Sequence, residues 1–90
     1  MAKALDHFLS LAQKPSVNEI FFRYQGFEYQ ICLAGRYIIV EDSTTGDAEE
    51  FCFSETGEAL LQAILNAAPR GTAIRAILDK LAENELIDTV

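Results

Sequence analysis

The chain has 90 residues, of which 50% are hydrophobic and 10% aromatic, and its formal net charge is −7. At this length we expect one domain that buries roughly 60 to 65% of its unfolded surface around a modest core, with little room for a deep enclosed pocket. The apolar content excludes a disordered acidic tail, and no apolar run approaches the roughly 20 residues of a membrane span, so we expect a soluble, cytoplasmic protein without a membrane partner.

The first predicted element is an amphipathic helix between Ala2 and Gln13. Its apolar side chains recur at helical spacing: Leu5, Phe8, Leu9 and Ala12. This spacing places them in one stripe along three turns. We expect the helix to end at Lys14, because Pro15 disfavours helical geometry in the residue before it.

From Val17 onwards the composition changes to the β-branched and aromatic residues that are typical of strands. Three runs have this composition: Asn18 to Gln25, Phe27 to Leu33, and Tyr37 to Glu41. The short connections between them predict an antiparallel meander. A turn at residues 43–47 leads to a fourth short strand near residues 49–53, which we expect to pair with the third.

Two helices are predicted after the strands. Ser54 is the expected N-cap of the first helix, and Glu55 and Glu58 in its first turn complement the helix dipole. Thr72 is the expected N-cap of the second helix. The two apolar stripes consist of Leu60, Leu61, Ile64, Leu65 and Ala68, and of Ile74, Ile77, Leu78 and Leu81.

Beyond a predicted helix stop at Asn84, the apolar residues Leu86, Ile87 and Val90 form a short tail that we expect to pack on the body. The predicted fold is therefore a compact α+β domain that spans residues 1–90. It has an N-terminal helix, a three- to four-stranded antiparallel sheet and two C-terminal helices packed on that sheet.

The aromatic residues are concentrated in the strands, where neighbours such as Phe21 and Phe22 point to opposite faces. Both faces of the predicted sheet therefore carry apolar side chains, and the run Ile38-Ile39-Val40 does not alternate either. Either helices cover both faces, or the second face contacts another molecule. Three short helices cover such a sheet only partly, so we expect a homodimer or another protein contact.

No residue pattern predicts a catalytic, cofactor or metal site. The only histidine, His7, lies beside Asp6 on the polar side of the first helix, and no phosphate-binding glycine motif is present. Cys32 and Cys52 are far apart in sequence, form no CxxC pair and fall in predicted strands, which is typical of buried free cysteines. We therefore expect a protein that is not an enzyme and binds no cofactor.

The net charge is concentrated between Tyr37 and Pro69, a stretch with seven acids and no base. Because Glu55 and Glu58 are explained as helix-start charges, the candidate partner-binding residues are the five others: Glu41, Asp42, Asp47, Glu49 and Glu50. Their spacing does not match an EF-hand, so no metal is assigned to them. They fit a docking surface for a partner with a basic surface, or charged strand edges that prevent aggregation. Candidate apolar anchors are Phe21, Phe22 and Tyr24.

The connection Ala68-Pro69-Arg70-Gly71 between the two helices resembles that of a helix-turn-helix. A DNA reader normally has a basic face, and here acids such as Asp79 and Glu83 offset Arg75 and Lys80. We therefore expect no direct binding of nucleic acid. The acidic stretch also permits the opposite hypothesis, a mimic of nucleic acid that occupies the basic groove of another protein.

The run from Phe53 to Leu60 (FSETGEAL), a helix, and then Gly71 to Ile77 (GTAIRAI) resembles the small peptide-recognition domain of the pyrroloquinoline-quinone biosynthesis chaperone. The resemblance implies three strands before the helices and a peptide ligand that adds to a sheet edge beside a helix. This chain departs from that pattern by its additional N-terminal helix. Acidity and an N-terminal helix before a meander also resemble small acidic secretion chaperones, at the level of architecture alone.

The function that fits these observations best is a small, acidic, non-enzymatic protein-interaction module, an adaptor or regulatory subunit that self-associates. The alternatives are an acidic nucleic-acid mimic that acts as an inhibitor, a peptide-binding domain, and a small ligand-binding or enzymatic protein with a pocket at a dimer interface.

Overall fold

The computed structural model describes residues 3–14 and 19–89, and for Thr89 the backbone alone. Its helices are α1 (Ala4–Leu11), α2 (Gly57–Asn66) and α3 (Ile74–Lys80), and its strands are β1 (Glu19–Tyr24), β2 (Phe27–Cys32), β3 (Tyr37–Asp42), β4 (Ala48–Cys52) and β5 (Ile87–Thr89). A short 3₁₀ helix, Glu83–Glu85, lies between α3 and β5. The predicted α+β order of one helix, a strand meander and two helices is confirmed. Pro15 and Asn18, which were assigned to the first helix stop and the first strand, lie outside the described residues.

The strands form one antiparallel sheet in the order β4-β3-β2-β1-β5. The first four are consecutive hairpin neighbours, and the sequence-based strand limits agree with them to within one or two residues. The fifth strand was not predicted, because the apolar tail is too short and too weakly patterned to indicate a strand. In β5, Ile87 pairs with Phe21 and Asp88 with Ile20, while Val90 lies outside the described residues.

All three helices contribute to one apolar core on a single face of the sheet. The core residues are Ala4, Phe8, Leu11, Ile20, Phe22, Tyr29, Ile31, Ile38, Val40, Leu60, Ile64, Leu65, Ile74, Ile77, Leu78, Leu81 and Leu86. The strand members of this core alternate along each strand with residues that are not in it, as the two-residue period of a strand requires. The aromatic pattern did not determine whether helices cover one face of the sheet or both. Among the described residues, the helices lie on one face only.

The pairing of β1 with β2 places Phe22 directly opposite Tyr29 in the middle of this core. Their rings are stacked with centroids 4.8 Å apart and an angle of 9° between planes. Both side chains are almost completely buried, at 2% and 1% exposure. Burial also raises the pKa of the Tyr29 hydroxyl, because the phenolate loses its hydration.

The predicted helix starts are wrong in detail. The N-cap of α2 is Thr56 and that of α3 is Ala73, and neither makes a side-chain capping hydrogen bond. The backbone N–H of Phe53 donates to Arg36 at 2.8 Å, so the strand-like chain continues past β4 before it crosses to the helix layer. At α3, the N–H of Ile74 donates to the carbonyl of Ala67 at 2.9 Å, so the loop backbone satisfies a group that a Thr72 cap was expected to serve.

The first helix is rotated slightly from its predicted stripe. Ala4, Phe8 and Leu11 are buried, while Leu5 and Leu9 are half-buried at the margin of the core. The backbone N–H of Ala4 donates to Leu81 at 2.9 Å, which attaches the start of α1 to the end of α3. Within the described residues, no helix is long and apolar enough to span a membrane.

Phe21 and Phe22 give a direct test of which sheet face holds the core. Phe22→Ala is expected to lower the free energy of unfolding by about 3–5 kcal/mol, because it removes a stacked, buried ring. Phe21→Ala is expected to cost about 1 kcal/mol, since its ring lies outside the core. Urea denaturation followed by circular dichroism measures both values, and equal losses for the two variants would contradict this arrangement.

Candidate interaction surface

The sheet face opposite the helices, called here the open face, is covered by no described helix. Paired residues of antiparallel strands lie on the same face, so the register identifies the members of the open face. Its central row runs across the strands through Ile87, Phe21, Gln30, Ile39 and Glu50, each paired with the next. These residues point away from the helices because their neighbours in each strand enter the core.

Three apolar side chains lie in this row. Phe21 and Ile39 are half-buried, and Ile87, at 62% exposure, is the exposed large hydrophobic residue of the described chain. None of the three packs against the core of the helix side. The open face therefore has a small apolar centre that no described helix covers.

Acidic side chains flank the apolar centre on both sides. Four lie on the open face: Glu19, Glu28, Glu41 and Glu50. Arg23 is the one base in the five strands, and its guanidinium lies 3.4 Å from the carboxylate of Glu28. Because the Arg23 side chain is 80% exposed, this ion pair is weak and leaves the face with a negative field.

The structure distributes the predicted acidic patch over several places. Glu41 and Glu50 lie on the open face, whereas Glu49 lies on the helix side, 3.5 Å from Arg70. Asp42 closes the turn after β3, since its carboxylate accepts the N–H of Thr44 at 2.8 Å. Asp47 lies exposed at the end of the same turn, where its carbonyl accepts the N–H of Asp42.

The three predicted anchors also have different locations. Phe22 lies in the core and has almost no surface to offer, whereas Phe21 lies in the centre of the open face. Tyr24 is half-buried at the end of β1, where the ammonium group of Lys80 donates to its hydroxyl at 3.3 Å. Of the three, Phe21 has the position that an apolar anchor of the open face requires.

A polar network at one end of the open face was not recognised in the sequence. The carboxylate of Glu19 accepts hydrogen bonds from the Gln30 amide and, at 3.5 Å, from the Tyr37 hydroxyl. All three side chains are half-buried, and together they hold Glu19 at the border of the apolar centre. In the sequence, each of these three residues alternates with core residues of its own strand. This alternation shows that they share the open face, but only the pairing register shows that they lie close together.

Cys32, Tyr37 and Cys52 lie side by side on three neighbouring strands of the open face. The two cysteines are therefore two strand spacings, roughly 10 Å, apart, which is too far for a disulfide. The thiol of Cys32 is buried and accepts the N–H of Gly35 at 3.2 Å, while Cys52 is exposed. A hydrogen bond with Cys32 is the main cause that raises the pKa of the Tyr37 hydroxyl.

A cavity of about 640 Å³ opens at the β5 end of the face, beside the 3₁₀ helix. It is lined by Phe21, Phe22, Arg23, Glu28, Glu85 and Ile87. The cavity therefore combines Phe21 and Ile87 of the central row with two carboxylates and one guanidinium. The sequence did not predict this cavity, because Glu85 joins its lining from the 3₁₀ helix just before β5, a strand that was not predicted.

Among residues 3–14 and 19–89, no group of three or more His, Cys, Asp or Glu side chains is placed to hold a metal ion. No family model matches the chain, and comparisons with curated proteins and with solved structures give no match.

The Cys52 thiol provides a reporter for the open face. It donates to the carboxylate of Glu50 at 3.4 Å, and this hydrogen bond is the main cause that raises the pKa of Cys52. Glu50→Gln removes the negative charge, so we expect a lower pKa and several-fold faster alkylation of Cys52 by iodoacetamide at pH 8. Mass spectrometry over a range of pH values measures the rate of Cys52 alkylation in the unsubstituted protein and in the Glu50→Gln variant.

The control for this prediction is Glu49→Gln, which removes a neighbouring charge from the opposite face and should leave the alkylation profile of Cys52 unchanged. Cys32 should react slowly in every variant because it is buried. If Glu50→Gln and Glu49→Gln have the same pH profile as the unsubstituted protein, the assignment of Glu50 to the Cys52 side of the sheet is wrong.

Proposed function

We propose that this protein is a non-enzymatic interaction module that binds a partner protein with a basic surface through the open face. The observation that carries the proposal is the position of Phe21, Ile39 and Ile87 in a row that no described helix covers, between acidic side chains. Apolar contact supplies affinity, while flanking carboxylates select a partner with complementary charge.

The dimensions of the face favour a transient complex. With strands about 4.8 Å apart and residues spaced by about 3.4 Å, five strands of up to six residues cover roughly 500 Å² of flat sheet. A standard interface buries about 800 Å² on each partner. The open face alone is therefore smaller than a typical stable interface, which suits an adaptor or regulatory subunit that exchanges partners.

Charge favours a basic partner over a second copy of this chain. Two copies joined through their open faces would bring together eight carboxylates and two guanidinium groups, since each face carries four acids and Arg23. Like charges opposed across an interface are unfavourable, and the net charge of −7 adds a further long-range repulsion between copies. Self-association through the open face is thus the competing outcome, which sedimentation equilibrium of the unsubstituted protein detects.

The position of the acids also favours a protein partner over the function of a nucleic-acid mimic. A mimic presents a continuous acidic strip in place of phosphates. Here the predicted acidic patch is divided between two faces and a turn, and Glu49 lies on the helix side with the Arg70 guanidinium 3.5 Å from its carboxylate. What remains on the open face surrounds an apolar centre, which matches the apolar core and polar rim of protein interfaces.

A matched pair of charge variants tests the proposal. The first variant replaces Glu19, Glu28, Glu41 and Glu50 by Gln. The second removes four exposed acids elsewhere, through Asp6→Asn, Glu55→Gln, Glu58→Gln and Glu83→Gln. Both change the net charge equally, so a difference between them reports location alone. We expect the open-face variant to lose at least tenfold in affinity and the control to lose less than threefold.

Affinity is measured by titration calorimetry with a partner isolated from the native host on the immobilised protein and then purified. The expected partner is basic, binds more weakly at higher salt, and loses affinity with Ile39→Ser. Equal losses for the two charge variants would contradict the proposal. Concentration-dependent dimerisation of the unsubstituted protein in sedimentation equilibrium, abolished by Ile39→Ser, would instead show that a second copy occupies the face.

A further inference from the structure

We propose that the cavity beside the 3₁₀ helix, called here the anchor cavity, binds an arginine side chain of the basic partner. This inference rests on the proposed function, because it names the group by which the partner is recognised. It depends on three features of the lining: apolar walls, two carboxylates with different hydrogen bonding, and a weakly held internal arginine.

The walls suit a long side chain with an apolar stem. Phe21 and Ile87 pair directly across β1 and β5 and provide the apolar part of the cavity. Its volume of about 640 Å³ exceeds what one methyl or aromatic group would fill and lies within the range of small-ligand sites. An arginine places its methylene groups against apolar surface and keeps its charged end at a polar rim.

Two carboxylates supply the acceptors for the charged end. Glu85 is held in position, since its Oε2 accepts the backbone N–H of Ala82 at 2.7 Å. Its Oε1 has no hydrogen-bond donor among the described residues. Glu28 is the second acceptor and is contacted by Arg23 at 3.4 Å. A cavity with two carboxylates and an apolar floor is complementary to an organic cation and repels an anion.

Arg23 marks the place that the partner's arginine would take. Its guanidinium contacts Glu28, and yet its side chain remains 80% exposed, so the contact is worth little and is easily exchanged. An arginine from a partner would bring its own apolar contacts with Phe21 and Ile87 in addition to the carboxylate. Arg23 thus acts as a weak internal competitor for the proposed ligand.

The same combination of groups already binds an arginine on the helix side of this protein. The guanidinium carbon of Arg70 lies 4.3 Å from the ring centroid of Phe27, and its Nη1 lies 3.5 Å from Glu49. Ring and carboxylate together favour arginine over lysine, because a planar guanidinium stacks on the ring and also donates to the carboxylate. The anchor cavity is lined by the same two kinds of group, the ring of Phe21 and the carboxylates of Glu28 and Glu85.

The probe for this inference is N-acetyl-L-arginine methylamide, titrated at low ionic strength while backbone amide shifts are followed by NMR. We expect saturable shifts at Phe21, Arg23 and Ile87 with a dissociation constant of about 1 mM, as suits a ligand of this size. The capped citrulline analogue has nearly the same shape without the charge. It should bind at least tenfold more weakly.

Three variants determine whether the anchor cavity is responsible. Glu85→Gln keeps an acceptor for the Ala82 N–H and should weaken the capped arginine about fivefold or more. Glu83→Gln, on the same 3₁₀ helix outside the cavity, should leave binding unchanged. Arg23→Gln removes the internal competitor and should strengthen binding about two- to fivefold. The amide spectrum of each variant shows whether the protein remains folded.

The inference is overturned if citrulline binds as well as arginine, if Glu85→Gln and Glu83→Gln bind equally well, or if Arg23→Gln weakens binding. If a capped glutamate, an anion, induces the same shifts, the cavity does not select a cation, and the inference is overturned as well. Loss of the anchor while the partner still depends on the four open-face acids leaves the proposed function intact. If the capped arginine binds but the two four-acid variants lose partner affinity equally, the anchor cavity is supported and the proposed function is contradicted.

Discussion

The pairing register of β1 against β2 is the constraint on which the rest of the structure depends. It places Phe22 opposite Tyr29 as a buried stack, and it aligns Ile20 with Ile31 beside them. A shift by one residue would exchange the faces of every side chain in the strand, and would put Phe21 and Arg23 under the helices. The stack therefore determines which face the helices cover and, by exclusion, which face stays open.

The composition of the open face follows from this one-sided core. The strands are apolar at more positions than one face can use, so Phe21 and Ile39 remain outside the core together with the exposed Ile87. Gln30 lies between Phe21 and Ile39 in the row and donates to Glu19, which also accepts the Tyr37 hydroxyl. This arrangement keeps the apolar centre small and leaves it uncovered by the described helices, as the proposed transient contact requires.

The acids of this chain have separate tasks, although they are adjacent in sequence. Asp42 organises a turn, and Glu49 binds an arginine of the helix layer. Glu41 and Glu50, with Glu19 and Glu28 from other strands, give the open face its negative field. The acidity of the open face is therefore assembled across the sheet and differs from the contiguous acidic stretch of the sequence. This distinction supports a partner contact in which carboxylates border an apolar centre.

Local sequence alone determined the types and the order of the first helix, the four-stranded meander and the two later helices, because helical spacing, strand composition and turns act over a few residues. Ile74, Ile77 and Leu78 are buried as their spacing predicted. Long-range pairing decided the rest. Contacts between residues far apart in sequence set the helix starts at Thr56 and Ala73 and formed the fifth strand. They also placed Phe22 in the core and Phe21 outside it, and brought Glu85 and Glu28 into the lining of one cavity. No local pattern encodes which face of a strand meets the helices, so only the tertiary structure could separate the core from the candidate surface.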